Sequence, residues 1–445
     1  MIKIKILHIT PHLGGGVGRV VLNYLATAKT KSAFDHQVAC LDYANDQALA
    51  AAGSIGFKLT DKLSDKPEQL TNMIAAADVV LVHWWNHPLL YDFLVRVVLP
   101  PCRLVLWSHT SGFNAPYVFT EKILNYPDLF VLTTPVSLAT KEIKNLSDDR
   151  RRTLRVIWST GGVEHVKAVQ SQKHDGFNIG YIGTVDYAKL HPNFLKICDK
   201  INIPDVKFIV CGGANELEIK KEAEALGIAG KFIFTGLISD IKEYLPIFDV
   251  FGYPLAPYHY GTCDQALAES MAAGVVPVVL PNSMEKYMVK DSLTGLVAAN
   301  EDDYVRAVEE LYKNKVLREV LSNNAKQYAA DTFSLDKLVE DWEAVFQELM
   351  KMSQTEKRWK IFKNSHDLTA KDVFLEALGD YGQVFVDFCE AKSAEAKSLA
   401  AAKIAKLGES PVWQSSTKGT VNQYCLFFSD DEHLNFWSKL IKNDN

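Results

Sequence analysis

Short apolar runs alternate with amphipathic stretches through the first half of the chain. The stretch after the first run places Val17, Val20, Val21 and Tyr24 on one face of a helix. The apolar runs are rich in β-branched residues, and they predict strands at 4–9, 38–41, 79–82, 104–107, 129–132 and 155–158. Strands that alternate with helices in this way indicate a parallel, doubly wound sheet.

The same alternation begins again after a polar stretch. Residues 166–178, VKAVQSQKHDGFN, have few apolar positions and predict a linker. Beyond the linker the pattern predicts helices at 216–226 and 240–245, and strands at 179–182, 207–210, 231–234, 250–253, 275–280 and 295–298. We therefore expect two α/β units of similar size, with ligands at the carboxyl ends of their strands.

The last third of the chain is predicted to be helical. An apolar face recurs between 335 and 349, and residues 369–407 are rich in Ala, Lys and Glu. We divide the chain into an N-terminal Rossmann-like domain at 1–170, a C-terminal Rossmann-like domain at 178–332, a helix at 333–350 that packs back towards the N-terminal domain, and a helical appendage at 351–445.

Composition and charge narrow the class of protein. The chain is 48% hydrophobic and 23% charged, which is an ordinary globular balance. Its net charge of −6 argues against a global basic field for nucleic acid and leaves a local basic patch open, and we expect no nucleic-acid partner. The seven cysteines are scattered and never spaced as C-x-x-C, which favours a reducing, cytoplasmic location over a disulfide scaffold. No apolar run is long enough to predict a transmembrane helix.

A basic and aromatic segment follows the predicted helix at 333–350. It contains Lys357, Arg358, Trp359, Lys360, Phe362 and Lys363. Such a cluster can contact an anionic membrane from its surface. A solvated helix is the alternative interpretation.

Two glycine-containing loops follow predicted strands and are candidates for ligand contact. The first, TPHLGGGVGR, carries Gly15 and Gly16 next to a helix start, where backbone N–H groups can approach an anion. Its match to a dinucleotide fingerprint is poor, because Arg19 stands where the third glycine would be. The second loop, IGTVDYAK, places Lys189 six residues after Gly183, where a lysine can neutralise phosphate. A solvated surface lysine is the alternative.

Two histidines also follow predicted strands, in VVLVHWW and LVLWSHTSG. The strand ends point His83 and His109 towards the ligand edge of the sheet. The loop of His109 is the more polar and open of the two. A structural histidine that is satisfied by hydrogen bonds is the alternative for both positions.

The stretch YHYGTCDQALAESMAAG, residues 258–274, predicts a closely packed helix of small residues. Asp264 or Thr262 can cap this helix, and its start, with Gly261 and Cys263, can face a diphosphate. Glu269 can accept hydrogen bonds from the vicinal diol of a ribose. The alternative is a solvated or salt-bridged glutamate.

Together these segments resemble the retaining glycosyltransferases of the GT-B fold, specifically glycosyltransferase family 4. The resemblance covers roughly residues 4–350 and rests on an ordered series of motifs. After the glycine-rich loop come HTSG, YIGTVDYAK, FIVCGG, FIFTGLISDIKEYL, DVFGYPL, LAESMAAGVVPVV and SLTGLVAANEDDY. It implies two Rossmann-like domains that face an interdomain cleft, with the helical appendage added. The N-terminal domain would lie on the acceptor side, and the C-terminal domain would bind the nucleotide-sugar donor.

The resemblance also assigns roles to individual residues. Glu269 would bind the ribose and Lys189 the donor diphosphate, while His109 would contact the transferred sugar or the acceptor. His109 and Lys189 are therefore the expected catalytic residues. The expected donor-binding set is Gly15, Gly16, Gly183, Thr184, Lys189, Gly261, Thr262, Cys263, Asp264 and Glu269.

Two positions depart from the family pattern. Gly261 stands where the family has a glutamate that contacts sugar hydroxyls, and Thr184 stands where it has an arginine that helps to neutralise the diphosphate. Residues near these positions in the sequence are candidate substitutes. They are His259, Tyr260 or Asp264 for the hydroxyl contacts, and Arg19 or His191 for the charge.

The implied reaction moves a sugar from a UDP- or GDP-sugar to a hydroxyl of a glycan or lipid-linked acceptor, with retention at the anomeric carbon. No metal or other cofactor is expected, and no Asp-x-Asp motif is evident at a strand end. By analogy the pathway is bacterial surface polysaccharide or glycoconjugate synthesis, with the protein in the cytoplasm or peripheral at the inner face of the membrane. Two alternatives remain open, an inert GT-B-fold binding or scaffold protein and a nucleotide-sugar epimerase of the same fold.

Overall fold

The computed structural model describes residues 3–259, 261–361, 367–417 and 419–442. The chain forms two compact units. The first combines Met1–Ser159 with Val339–Asn445, and the second is Thr160–Leu338. The C-terminal region therefore belongs to the same unit as the N-terminal strands.

The first unit is built on a parallel sheet. Its first 159 residues contain eight strands, β1 (Lys5–Thr10), β2 (Asp35–Cys40), β3 (Lys58–Thr60), β4 (Val79–Trp84), β5 (Leu99–Cys102), β6 (Leu104–Ser108), β7 (Leu129–Leu132) and β8 (Leu154–Val156). All but β5 join one seven-stranded sheet in the order β3-β2-β1-β4-β6-β7-β8. The strands β4, β6 and β7 are buried at every residue, as expected for a parallel sheet that is covered on both faces.

Helices connect these strands. They are α1 (Gly15–Lys31), α2 (Asp46–Ile55), α3 (Pro67–Ala75), α4 (Pro88–Arg96), α5 (Glu121–Asn125), α6 (Lys141–Lys144) and α7 (Asp148–Arg151). The predicted face of α1 is confirmed at Val20, Val21 and Tyr24, which are buried, whereas Val17 is only partly buried. The sequence pattern missed β3, which has only three residues, and β5, whose two prolines hide its strand character.

The second unit repeats the architecture. Its strands are β9 (Phe177–Ile182), β10 (Val206–Cys211), β11 (Phe232–Gly236), β12 (Val250–Tyr253), β13 (Val276–Val279) and β14 (Leu296–Val297). They form one parallel sheet in the order β11-β10-β9-β12-β13-β14. The helices are α8 (Phe194–Lys200), α9 (Glu216–Ala225), α10 (Gln265–Ala273), α11 (Glu285–Met288), α12 (Glu301–Lys313) and α13 (Lys315–Thr332). Both units are thus Rossmann-like, as the alternating pattern predicted.

One predicted helix of the second unit is wrong. In place of a helix at 240–245 the chain makes two short 3-10 turns, Ile241–Glu243 and Leu245–Ile247. Pro246 lies at the start of the second turn, where its ring removes a backbone donor and interrupts α-helical hydrogen bonding. The predicted linker is also shorter than expected, because β9 already begins at Phe177.

The C-terminal region is mostly helical. It comprises α14 (Leu335–Met350), β15 (Thr355–Lys357), α15 (Ala370–Leu378), α16 (Gln383–Glu390), α17 (Ala394–Leu407), α18 (Pro411–Gln414), α19 (Val421–Phe427) and α20 (Glu432–Lys442). Strand β15 pairs antiparallel with β5. In α14 the Trp342 ring lies 5.0 Å from that of Trp107, centroid to centroid, so this helix packs on the first sheet.

The C-terminal helices share their core with the first sheet. Phe374, Phe385 and Trp437 are buried in the same apolar cluster as Leu90 and Leu94 of α4. The rings of Phe385 and Trp437 lie 4.8 Å apart. Because this cluster is continuous with the layer under the sheet, the C-terminal helices cover apolar surface of the first unit.

The proposed membrane-contact segment is only partly at the surface. Lys357 is buried and its Nζ lies 2.6 Å from Oδ1 of Asp128, while buried Trp359 donates its indole N–H to Glu376. These two side chains therefore do not form the predicted surface cluster. Arg358 and Lys360 are exposed, and Phe362 and Lys363 lie outside the described residues. Among the helices that the structure describes, none is long and apolar enough to cross a membrane.

The shared core predicts that the C-terminal helices support the stability of the first unit. Trp437→Ala is expected to lower the free energy of unfolding by about 3–5 kcal/mol, because it removes a fully buried ring. Leu426→Ala is the control, since Leu426 is 69% exposed on the neighbouring helix, and a change within about 0.5 kcal/mol is expected. Denaturant unfolding measures both values, and equal losses would contradict the shared core.

Candidate active site

The candidate residues lie where each sheet reverses its strand order. In the first sheet β1 lies between β2 and β4, and in the second sheet β9 lies between β10 and β12. Parallel sheets bind ligands outside the carboxyl ends of the strands at such a point. The loops after β1, β9 and β12 carry most of the residues that the sequence singled out.

The loop after β1 leads into the uncapped start of α1. Gly15 has a φ of +61°, a left-handed conformation that favours glycine. A Cβ atom at Gly15 or Gly16 would meet no atom within 4 Å, so the space beside both residues is open. The first turn of α1 has no side-chain cap and no acidic residue, which leaves its N–H groups for an anion.

His109 uses both of its ring nitrogens within the first unit. Its Nε2 lies 3.1 Å from Nδ1 of His83, and its Nδ1 lies 3.0 Å from Oγ of Ser159. A direct contact between a ring nitrogen and a substrate would therefore replace one of these hydrogen bonds. Ser159 was not predicted, because a lone serine after a short strand carries no sequence signal.

The hydrogen bonds of His109 continue into the sheet. His83 Nε2 lies 3.0 Å from His8 Nδ1, and His8 Nε2 lies 2.9 Å from His36 Nδ1. Burial lowers the pKa of His83 to about 3 and that of His36 to about 4, and it holds the pKa values of His8 and His109 well below the ordinary value. All four rings are therefore neutral near pH 7.

Lys189 lies in the second unit and is held in an ion pair. Its Nζ is 3.1 Å from Oδ1 of Asp264 and 5.4 Å from the centre of the Tyr253 ring. The turn before it is fixed by Asp186, whose Oδ1 accepts the N–H groups of Ala188 and Lys189. The predicted phosphate-binding ammonium thus faces a carboxylate in this structure.

Close contacts and hydrogen bonds fix the loop that precedes Lys189. Gly183 donates its N–H to the carbonyl of Cys211 at 3.0 Å, and the carbonyl of Thr184 accepts the hydroxyl of Tyr181 at 2.7 Å. A Cβ atom at Gly183 would lie 2.8 Å from that hydroxyl oxygen. Both predicted residues therefore shape the loop through their backbone.

Asp264 begins α10 but does not cap it, which corrects the capping prediction. It occupies the N-cap position without a side-chain hydrogen bond to the helix, because its carboxylate turns to Lys189. Burial alone would raise the pKa of Asp264, but the charge of Lys189 and the hydrogen bond it donates hold the pKa below its ordinary value. Its other oxygen, Oδ2, is buried without a hydrogen-bond partner among the described residues.

His259 connects this pair to a second buried acid. Its Nε2 lies 3.0 Å from Oε1 and 3.2 Å from Oε2 of Glu285, and its Nδ1 accepts the N–H of Gly261 at 3.0 Å. Burial opposes protonation, but the charge of Glu285 outweighs it and raises the pKa of His259. The bond from Gly261 needs a lone pair on Nδ1, which favours a neutral ring with its proton on Nε2. Glu285 is a residue that the sequence reasoning missed.

His259, Asp264 and Glu285 are also the residues most able to hold a metal. Their ligand atoms lie within 4.8 Å of one another, and within the described part of the chain no other group of three meets that criterion. A cation would have to displace the Lys189 ammonium from Asp264 and remove the Nε2 proton of His259. The residues present therefore fit a hydrogen-bonded polar cluster around the Lys189–Asp264 ion pair better than a metal centre.

Glu269 lies in the middle of α10 and is buried. Its Oε1 accepts from Nε2 of Gln265 at 3.0 Å and lies 3.0 Å from Nε2 of His165. The neighbours Leu267, Ala268, Ser270 and Met271 are fully buried, so the backbone of α10 is fixed close to the sheet. The His165 side chain is 34% exposed, and a ligand hydroxyl can replace it at the carboxylate.

The match to a known protein family lies within the second unit. Residues 164–328 match the family described as Glycosyl transferases group 1. A putative glycosyltransferase, EpsD, of Bacillus subtilis is 27% identical over 161 residues, which are 36% of this chain and 41% of that protein. An uncharacterized glycosyltransferase, MJ1069, of Methanocaldococcus jannaschii is 24% identical over 145 residues, 32% of this chain and 37% of that protein. The matched segments thus span well under half of either relative.

Solved structures resemble a larger part of the chain. A glycosyltransferase from Rickettsia africae superposes with a TM-score of 0.64 at 13% identity, over 78% of this chain and 99% of that protein. Anabaena Alr3699/HepE, solved in complex with UDP-glucose, gives a TM-score of 0.61 at 14% identity, over 78% and 100% of the two chains. The chain has the GT-B fold. At these identities the likeness concerns the fold, and the site has to be argued from its own residues.

The departure at Gly261 has a steric explanation within this GT-B chain. A Cβ atom there would lie 2.8 Å from Oδ1 of Asp264 and 2.9 Å from Nδ1 of His259. Both neighbours are buried and hydrogen-bonded, so neither can easily move. The glutamate that the family resemblance predicts at this position is therefore incompatible with the present arrangement of Asp264 and His259.

His191 and Arg19 are the candidate substitutes for the charge of the missing arginine. Burial lowers the pKa of His191 in spite of nearby Glu301, and its Nδ1 accepts the N–H of Asn193 at 3.2 Å. His191 is therefore neutral near pH 7 and does not replace the charge of the missing arginine. Arg19 is an exposed residue of the first unit, and Tyr260 lies outside the described residues. Thr262 and Cys263 are partly buried just ahead of α10.

The candidate residues thus fall into two sets. Gly15, Gly16 and His109 belong to the first unit, and Gly183, Thr184, Lys189 and residues 261–269 belong to the second. Within the second set the structure brings Lys189 directly to Asp264, 75 positions away in the sequence. No sequence motif predicted that Lys189 and Asp264 would form a pair.

The neutral buried histidines predict an acid-sensitive fold. Between about pH 6.5 and pH 4 unfolded histidines bind protons that His8, His36, His83 and His109 do not, so the free energy of unfolding is expected to fall as the pH falls through that window. His83→Gln should reduce the slope by about 1.4 kcal/mol per pH unit, which corresponds to one proton. Denaturant unfolding at several pH values measures this, and a slope that is the same in both proteins would contradict it.

Proposed function

We propose that this protein is a retaining glycosyltransferase that moves a sugar from a UDP- or GDP-sugar to a hydroxyl group. The proposal rests mainly on one arrangement inside the segment that matches the glycosyltransferase family. Lys189 and Asp264 meet at the carboxyl edge of the second sheet, and the buried carboxylate of Glu269 follows on the same helix as Asp264. The solved complexes of Anabaena Alr3699/HepE with UDP and UDP-glucose support a nucleotide-sugar donor by similarity of fold.

In the proposed reaction Lys189 stabilises the leaving diphosphate. Negative charge develops there as the glycosidic bond breaks, and an ammonium held in place beforehand lowers the barrier. Lys189 has to exchange its Asp264 partner for phosphate to do this. The exchange keeps the buried ammonium paired throughout, which avoids the cost of an isolated buried charge.

Glu269 is proposed to hold the ribose of the donor. Its carboxylate can accept both hydroxyls of a vicinal diol, and a buried acceptor of this kind discriminates strongly against a sugar that lacks one of them. The partly exposed His165 would leave Oε1 as the ribose arrives. Gln265 would remain as a fixed donor, because its amide also bonds the backbone of Gly161 and Gly162.

Asp264 is proposed to replace the sugar-reading glutamate that is missing at 261. Its Oδ2 is buried without a hydrogen-bond partner among the described residues and lies 2.9 Å from where a Cβ atom of residue 261 would be. A sugar hydroxyl that donates to Oδ2 would satisfy this oxygen. Release of Lys189 to the phosphate and recognition of the sugar by Asp264 would then occur together.

Retention is proposed to follow from attack on the same face of the sugar as the leaving group. The departing phosphate oxygen takes the proton of the acceptor hydroxyl, so neither an enzyme nucleophile nor a metal is needed. We propose that the acceptor is a hydroxyl of a glycan or lipid-linked glycan in bacterial surface polysaccharide synthesis. Contact with the inner face of an anionic membrane would depend on exposed Arg358 and Lys360.

A donor-binding protein without turnover is the second candidate. The observation that favours it is the Lys189–Asp264 pair, which neutralises the expected phosphate ligand in a chain that also has Thr184 in place of the family arginine. Calorimetry separates the two functions. Donor binding without transfer to any acceptor and without slow donor hydrolysis would support the binding protein.

The donor site predicts selective losses of nucleotide-sugar binding. In calorimetric titrations of UDP-, GDP- and dTDP-sugars with EDTA present, Lys189→Met and Glu269→Gln should each weaken the preferred donor by roughly 10- to 100-fold, because each removes a charged hydrogen-bond partner. The controls are Lys196→Met and Glu224→Gln, exposed residues of the same unit. If both site variants bind the donor like wild type, the site is wrong, and if EDTA abolishes binding, metal independence is wrong.

The exchange of partners at Asp264 predicts an effect of opposite sign. Asp264→Asn should bind free UDP more tightly than wild type, because the carboxylate no longer competes with phosphate for Lys189. It should also lose most of the difference in affinity between the preferred UDP-sugar and UDP. Asp199→Asn is the control, since Asp199 pairs with Lys231 at the surface of the same unit. Weaker binding of UDP by Asp264→Asn would contradict the exchange.

A further inference from the structure

Four histidines and a serine form one hydrogen-bonded chain across the first sheet. It runs His36–His8–His83–His109–Ser159, with links of 2.9, 3.0, 3.1 and 3.0 Å. We call these five residues the histidine relay. Its members come from β2, β1, β4 and the segments after β6 and β8, so it crosses the sheet from an inner strand to the carboxyl edge.

Strand register explains why these side chains meet. Ile6 of β1 pairs with His36, and His8 lies two residues further along β1. His83 of β4 pairs with Trp107, and His109 lies two residues beyond Trp107. Residues two apart on a strand share a face of the sheet, so each of the three steps between histidines moves to the neighbouring strand and advances towards the carboxyl edge.

The links make the protonation of the four rings interdependent. A neutral imidazole has one N–H and one lone pair, and each N···N contact needs one of each. Once one ring has its proton on Nδ1, its neighbours must as well, and the same holds for Nε2. The whole relay therefore has two arrangements, one with every proton on Nδ1 and one with every proton on Nε2.

The inner end of the relay selects between these arrangements. Nε2 of His36 is buried without a hydrogen-bond partner among the described residues. An unpaired N–H in the interior is less tolerable than an unpaired lone pair. The arrangement with protons on Nδ1 is thus favoured, and in it His109 donates its Nδ1–H to Oγ of Ser159.

We propose that the histidine relay aims the Ser159 hydroxyl as a hydrogen-bond donor to a substrate oxygen, with His8, His36 and His83 as positioning residues that act through His109. Because Ser159 Oγ accepts from His109, its own hydrogen must point away from the ring. Ser159 is 8% exposed, and its backbone is held by the bond from its N–H to Oγ1 of Thr133. The contact with substrate rests on the proposed glycosyltransferase function, whereas the relay itself does not.

The relay can be tested by ¹⁵N NMR of the full-length protein labelled at histidine, which distinguishes protons on Nδ1 and Nε2. In the wild type at pH 7 all four relay rings should have the Nδ1–H form at roughly 90% or more, since an unpaired buried donor is costly. In Ser159→Ala both ends of the relay lack a hydrogen-bond partner, so neither arrangement of protons is favoured. His8 and His36 should then show a mixture of the Nδ1–H and Nε2–H forms, although the substituted residue is several links away. Ser137→Ala is the control, because Ser137 is a buried serine after β7 outside the relay.

An unchanged tautomer at His8 and His36 in Ser159→Ala would overturn the proposal. If that variant does not fold, His83→Gln gives an equivalent test, since it interrupts the relay and should free His8 and His109 to take different forms. His87→Gln serves as its control, because burial also lowers the pKa of His87 to about 3 but His87 is not a member of the relay.

Kinetics then connect the relay to catalysis. Ser159→Ala and His83→Phe should lower kcat by tenfold or more with little change in donor Kd, and His83→Gln, which can still donate and accept, should recover part of the loss. Equal kcat values in wild type and Ser159→Ala would refute the substrate contact. Absence of any donor binding in the wild type would instead refute the proposed function and leave the NMR result intact.

Discussion

Strands β4, β6 and β7 are buried along their whole length, and a parallel sheet of this kind has to be covered on both faces. That requirement organises the first unit. Helices from the N-terminal half cover part of the sheet, and the C-terminal helices, far away in sequence, complete one apolar core with α4. The basic and aromatic segment at 357–359 is drawn inward for the same reason, and Lys357 then needs Asp128 as a partner because a buried ammonium is stable only when paired.

The same low-polarity interior determines what the polar residues do. In the first unit His8, His36 and His83 satisfy one another and His109, because water cannot reach their nitrogens. In the second unit Lys189, Asp264, His259 and Glu285 form a compact hydrogen-bonded cluster for the same reason. Both networks reach the carboxyl edge of a sheet.

The departure at Gly261 from the family pattern is connected to the packing around it. Gly261 leaves space for Asp264 and His259, and those residues occupy the positions that a longer side chain would need. A substitution at 261 alone would not restore the family arrangement, since it would collide with a buried, hydrogen-bonded pair. The geometry at 261 for that reason depends on His259, Asp264 and Glu285 together.

The sequence by itself determined the class of fold, because alternating apolar strands and amphipathic helices are local patterns that each segment carries alone. It also located the segments with Gly15, Lys189 and Glu269, since motif order and strand ends can be counted along the chain. Only the tertiary structure decided which partners these residues have. Asp264 meets Lys189, Glu285 meets His259, and His109 meets His83 and Ser159 through strand register and helix packing across long separations. Those contacts depend on where whole elements dock, and no local pattern of residues encodes that.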